Sequence, residues 1–356
     1  MPSPTEPSIP LPTDLDLVVR GTVPPGLSGR LVGIGRDGVV HTVHLHGARA
    51  SYRAHRSPMA AAVRHLVAFG GSVLAFGEDS LVQELSARGD TISPVDLAGH
   101  GRVVAAHHHE PGTGELHLVA RELHGAQAHV VVSAGALTRR SRPVLDAPGR
   151  IGGLVVTRTR VVFLAGGSVG VAWRDGEART TWIATGAGAP HPVHAHDAGD
   201  AVVLLAITPS LERWTISCAT VSVEREVLDA MPRRFAHCGR EGADGTIGTV
   251  WTTGDGTVGR HDLATGSHDH HGLWPQVPGD MVLVPDLARV GDGWLVGFAH
   301  DASESASELR VIDTDDVAGP TVASVRLPQR IGRDLRCTWI PAAAHTNSPT
   351  TKEINP

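Results

Sequence analysis

Cysteine is scarce in this chain: Cys218, Cys238 and Cys337 are all it has in 356 residues. An odd, sparse set excludes a disulfide framework and fits a reducing cytoplasm. Aromatic residues are equally thin at 4%. That excludes the stacking walls a long polyene tunnel would need. No apolar run reaches membrane-spanning length, so no transmembrane segment is expected. There is no concentrated Lys/Arg run, and the formal net charge is −6, which argues against nucleic acid as a partner. Convincing amphipathic helices are missing too; Ser57 to Leu66 and Ser210 to Trp214 are the only helical candidates.

Glycine, proline and histidine are abundant, at 42, 24 and 22 residues. Short Val-rich runs such as RVVFLAG and AVVLLAI recur from Leu17 onward, separated by tight-turn signals at Gly70-Gly71, Asp175-Gly176 and Gly254-Asp255-Gly256. Strands of four to six residues joined by short turns are meander texture. A repeat of roughly 40–50 residues per four-stranded sheet predicts an all-β, seven-bladed β-propeller with short cap loops. The expected boundaries are a flexible arm over 1–15, one propeller over 16–342 and a disordered tail over 343–356.

The stretch from Pro190 to Leu205, PHPVHAHDAGDAVVLL, carries the densest chemistry. Its histidines and aspartates stand directly before the apolar run Ala201–Ala206, which can only be a buried strand or short core segment. The polar part reads as a loop that aims one or two imidazoles inward. Two further clusters, His107-His108-His109 and His268-Asp269-His270-His271, read as surface turns, because adjacent histidines on one strand cannot converge on a metal. The glycine-rich AGGSVG (165–170) has no helix after it and reads as a hairpin turn.

Several segments, in order, resemble the carotenoid cleavage oxygenase family. They are GTVPPGLSGRLVGIGRDGVVHTVHL (21–45), VLAFGED (73–79), HHHEPGTGELHLVAR (107–121), GRIGGLVVTRTRVVFLAG (149–166), HPVHAHDAGDAVVLLA (191–206), GDMVLVPD (279–286) and VRLPQRIGRDLRCTW (325–339). The resemblance implies a seven-bladed propeller with four histidines holding iron on its axis, oriented by three carboxylates. The family's ligand positions fall on Ala106, or His107 after a one-residue slip, then Gly152, His191 and Arg336. The carboxylates fall on Glu78, Asp197 and Asp280.

A divergent member with no metal is therefore expected, with Fe(II) on His107 and His191 as the alternative cofactor reading. A carboxylate stripped of its imidazole needs another cation, which Arg336 could supply. The expected catalytic set is His191, Glu78, Asp197, Asp280 and Arg336, with His194, His107 and Trp339 contacting substrate. The function this implies is a non-oxidative acid–base reaction (isomerisation, cyclisation, dehydration or elimination) on a largely apolar small molecule. An Fe(II) dioxygenase that cleaves a C=C bond and a non-catalytic binding propeller are the alternatives.

Overall fold

The computed structural model describes residues 15–342 except 36, 58–62, 78–80, 87–90, 100–102, 111, 123–124, 134–138, 145, 176–178, 187, 189, 255, 274, 287–291, 302–305 and 333. The flanking arm and tail lie outside these residues. The described residues form thirty strands in seven antiparallel sheets of four or five strands. Each sheet is one blade of a closed ring. From blade 1 to blade 7 the inner strands are Arg336–Pro341, Val63–Phe69, Val103–Glu110, Ile151–Val156, His191–Ala198, Phe235–Cys238 and Gln276–Val284.

Both chain ends stitch the ring. The late strand Arg336–Pro341 pairs with Gly29–Ile34 to complete blade 1, and the early strand Val19–Gly21 pairs with Ala323–Arg326 to complete blade 7. Closure of this kind removes the open sheet edges that otherwise invite aggregation.

Burial explains the texture of the sequence. A strand in the middle of a blade is covered on both faces by neighbouring blades; Arg160–Ala165, RVVFLA, is buried at every position and apolar after Arg160. An outer strand faces water. Ser222–Asp229, SVEREVLD, is charged and mostly exposed. Seven apolar clusters fill the seven gaps between adjacent blades, the largest joining blades 7 and 1 through Leu31, Tyr52, Phe298 and Val325. Gly70 and Gly71, with φ of 60° and 85°, make the tight turn out of the inner strand of blade 2 that a side chain would strain.

Several local expectations need correcting. The candidate helices are strands: the described part of Ser57–Leu66 enters the inner strand Val63–Phe69, and Ser210–Trp214 enters Leu211–Ser217. The histidine-rich approach to Ala201 is itself the inner strand His191–Ala198, paired with Ala201–Ile207, instead of a loop. His107-His108-His109 also lie on an inner strand, and His268–Gly272 is the outer strand of blade 6. Sheet pairing against a neighbouring apolar strand overrides the turn preference of a polar run. The AGGSVG turn is a hairpin as expected.

Candidate active site on the propeller axis

The inner strands place their side chains around a cavity of about 1230 Å³, whose wall includes His65, His107, Gly152, His191, His237 and Arg336. Five of the seven inner strands are irregular, with register shifts at Val63/His65, Val104/Ala106, Ile151/Gly153, Pro192/His194 and Pro278/Met281. A bulge re-aims the side chains around it. Here the bulges explain how neighbours such as Arg64 and His65 both reach the cavity wall.

Three imidazoles stack there. His65 lies parallel to His191 at 5.6 Å and edge-on to His107 at 5.0 Å, while His107 lies flat on Phe76 at 4.1 Å. Burial, followed by the charge of Arg336, lowers His191 to about 4. Burial and neighbouring imidazoles lower His107 to about 3, and His65 is pushed down by burial, His107 and Arg336. At neutral pH these three are uncharged. His191 is ringed by protein yet opens onto the cavity.

Beside them is a second group. His237 Nε2 donates to Asp280 Oδ1 at 3.0 Å, and the backbone N–H of Cys337 donates to Asp280 Oδ2 at 3.0 Å. Burial alone would raise the Asp280 carboxyl, but the bond from His237, the Cys337 amide and the charge of Arg336 hold it below its usual range. The guanidinium of Arg336 lies 4.6 Å over the ring of Phe235. Because an ionised carboxylate only accepts, Nε2 of His237 must carry the shared proton. In the neutral tautomer of that ring the lone pair would sit on Nδ1.

The structure therefore brings together four of the residues expected from sequence: His191, Asp280, Arg336 and His107. His194 also lines the cavity, with Nε2 donating to Gly245 O at 2.9 Å. Asp197 does not join them. It accepts from Thr157 Oγ1 at 2.8 Å, Thr159 N at 3.0 Å and Arg160 Nη1 at 2.9 Å, and so braces the blade 4 hairpin against blade 5. Trp339 is a core residue packed between blades 1 and 7, because it faces away from the axis on its strand. Glu78 lies outside the described residues. Sequence reading missed His65 and His237: the first lies in the stretch expected to be helical, the second on a four-residue strand with little apolar signal. Both stand near the start of a four-stranded repeat, on the inner strands of blades 2 and 6.

The fold is a seven-bladed β-propeller with an axial cavity. Residues 206–341, less than half of the chain, match the family model described as retinal pigment epithelial membrane protein. A carotenoid cleavage oxygenase from Mycobacterium tuberculosis is 31% identical over 149 residues, a match spanning 37% of this chain and 29% of the relative. Among solved structures, a lignostilbene dioxygenase from Pseudomonas brassicacearum superposes with a TM-score of 0.82 at 17% identity, covering 94% of this chain and 97% of that one. A cobalt-substituted apocarotenoid oxygenase from Synechocystis gives 0.79 at 16% identity, covering 92% and 96%.

Iron on four axial histidines can be tested against the residues present. The positions that the resemblance aligns with the ligands hold Ala106 (or His107), Gly152, His191 and Arg336; glycine offers no donor and a guanidinium repels a cation. Nor do the imidazoles gather. Among the described residues, the group of three or more ligating side chains whose donor atoms all lie within 4.8 Å is Glu110, Glu115 and His117, which excludes the stacked His65, His107 and His191. The axis does not fit a four-histidine metal.

The Glu110 group is no metal site either. Arg174 forks to Glu110 at 2.8 and 2.6 Å and reaches Glu115 at 3.0 Å. Arg142 Nε donates to His129 Nδ1 at 3.2 Å, so His129 Nε2 donates to His117 Nδ1 at 3.1 Å and His117 carries its proton on Nε2, facing the carboxylates. The nitrogen a metal would need is therefore occupied by hydrogen.

Proposed function

We propose that this chain is an enzyme of acid–base chemistry acting on a small molecule held in the axial cavity. The observation that carries the reading is the His237–Asp280 dyad at the cavity beside Arg336, on an axis where Gly152 and Arg336 stand at two of the four ligand positions. His237 Nδ1 would take a proton from the bound molecule, and Asp280 would stabilise the imidazolium that results. Arg336 would hold the negative charge that develops on an oxygen of the substrate. Neutral His191 and His65 would orient the molecule by hydrogen bonding without repelling Arg336. Returning the proton to a different atom gives an isomer or a cyclised product; expelling hydroxide with it gives dehydration.

The second reading is an Fe(II)-dependent oxygenase with an altered ligand set. It draws on the oxygenase names of the similar structures and on the closeness of His65, His107 and His191. Mass spectrometry separates the two. Purified protein is incubated anaerobically, with a strong chelator, against a small-molecule extract. The expected product has unchanged mass or has lost one water, and it disappears with His237→Gln. Products that gain oxygen, and form only with O₂ and Fe(II), would establish the oxygenase; no conversion under either condition would leave a binding propeller.

A further inference from the structure

Buried imidazoles away from the axis find partners within the protein: His41 bonds to Tyr52, His117 to His129 and His261 to Thr252. On the cavity wall the opposite holds. His65, His107, His108, His109 and His191 all line it, and among the described residues none of the five donates or accepts a hydrogen bond. Their ring nitrogens are not sealed beneath protein atoms either, so whatever fills the cavity must satisfy them. Burial, the first cause in each case, lowers His107 and His108 to about 3 and His191 to about 4, and it moves His65 and His109 the same way. Each ring is therefore neutral at pH 7 and offers one N–H and one bare nitrogen. Arginines and carboxylates both reach the wall, so charge does not select the ligand.

We propose that the axial cavity takes a hydroxyl-rich small molecule whose hydroxyl groups pair with His65, His107, His108, His109 and His191. A hydroxyl both donates and accepts, so it meets a neutral imidazole in either tautomer; an ether or ketone can only accept, and an ammonium can only donate. A largely apolar ligand would displace water from these nitrogens and return nothing, and a polar group left unpaired after desolvation is costly. The inference rests on the reading of the cavity as a site of proton transfer and narrows its substrate. A molecule with a hydroxyl next to the ionised C–H supplies its own leaving group. The proton that His237 takes from carbon passes to that hydroxyl, the C–O bond breaks to release water, and the C–H electron pair becomes the second bond of an alkene.

Calorimetric titration of the full chain tests this without turnover. The probes are phloroglucinol and myo-inositol, each beside its fully methylated ether, at low and high salt; the ethers keep the oxygens and lose the O–H donors. At least one hydroxylated probe is expected to bind about tenfold or more tightly than its ether, by a ratio that salt leaves unchanged because the imidazoles are neutral. The skeleton that binds tells a phenolic ligand from an aliphatic polyol. His107→Leu and His191→Leu should each reduce the preference severalfold, whereas His107→Gln, which keeps a donor and an acceptor, should retain it. Thermal unfolding of each variant checks that the fold is intact. Ethers that match both parents, a preference that collapses in salt, one indifferent to both leucine variants, or no saturation by either hydroxylated probe at millimolar concentration would overturn the assignment. His237→Gln keeps the two readings apart. The preference should survive in it with turnover lost; turnover retained there would defeat the proton-transfer reading and leave the hydroxyl site standing.

Discussion

Two polar clusters in this propeller are built from the same residue types and are bonded differently. Between blades 3 and 4, Arg174, Arg140 and Arg142 lock Glu110, which reaches the cavity wall, together with Glu115, His117 and His129 into a lattice in which both carboxylates are bound by guanidiniums and the imidazole tautomers are fixed. On the axis, Asp280 is equally well bonded, but the imidazole it orients lines a large cavity, where its neutral form would offer Nδ1. Composition does not distinguish the two. What separates a brace from a reactive group is whether the last acceptor in the hydrogen-bond chain ends inside the protein or at the cavity.

The sharpest way to break this comparison is to swap the expected consequences. His237→Gln should lower turnover by about 10²–10⁴ while leaving the melting temperature unchanged, since a general base of this kind contributes that range. Kinetics and thermal unfolding on one preparation check it; loss of stability with full turnover would make His237 a brace. Arg174→Met should do the opposite. Removing one partner of a largely buried ion-pair group costs about 3–5 kcal/mol, so chemical denaturation should show a drop of that order, against about 0–1 kcal/mol for Arg213→Met, whose partner Glu226 is 60% exposed.

Acid sharpens the contrast next. His107 and His108 are each held near 3 by burial first and neighbouring imidazoles or charges after it, well below the ordinary 6.5. The unfolded chain therefore binds protons that the folded chain refuses, and stability that is complete above pH 6.5 is lost as pH falls toward 3. Each such imidazole contributes a slope of about 1.4 kcal/mol per pH unit in that window. Unfolding free energies between pH 7 and pH 4 should show this fall, and a double His107→Gln, His108→Gln variant should make it shallower while His41, His191 and His261 keep the rest.

The smallest effect concerns adjacent glycines. A side chain at Gly152 would meet nothing within 4 Å, so Gly152→Ala should change stability by less than about 0.5 kcal/mol while altering KM through the cavity. At Gly153 a Cβ would lie 2.9 Å from Leu164 Cδ1 and 3.1 Å from its Cβ, and Gly153→Ala should cost about 1–3 kcal/mol by overpacking. Melting curves of the pair check this directly.

The fold was legible because many short buried strands alternate with tight turns: Arg160–Ala165 and Ala201–Ile207 read as buried strands, and glycine pairs such as Gly70-Gly71 mark the turns. Half of the axis was legible for a different reason. His191, Asp280 and Arg336 sit inside ordered segments that resemble one family, so the resemblance put them in one place. Asp197 was misplaced by that logic, since a carboxylate six residues beyond His191 on an extended strand is carried roughly 20 Å along it, where the blade 4 hairpin claims it. His65 and His237 were illegible because bulges and short strands, set by packing between blades, decide which histidines turn inward. Periodicity within one strand does not carry that information.

The most direct test of the proposal that the axis holds a base and no metal needs no substrate. In ¹⁵N-histidine NMR of the intact protein, His237 should show Nε2 protonated and Nδ1 bare, and Asp280→Asn should disturb that signature. One equivalent of Co(II), a paramagnetic probe for an iron-type site, should leave His65, His107, His191 and His237 unshifted. Selective broadening or loss of the His65, His107 and His191 resonances at one equivalent would contradict this, showing that these imidazoles close on a metal and that the axis is an oxygenase centre after all.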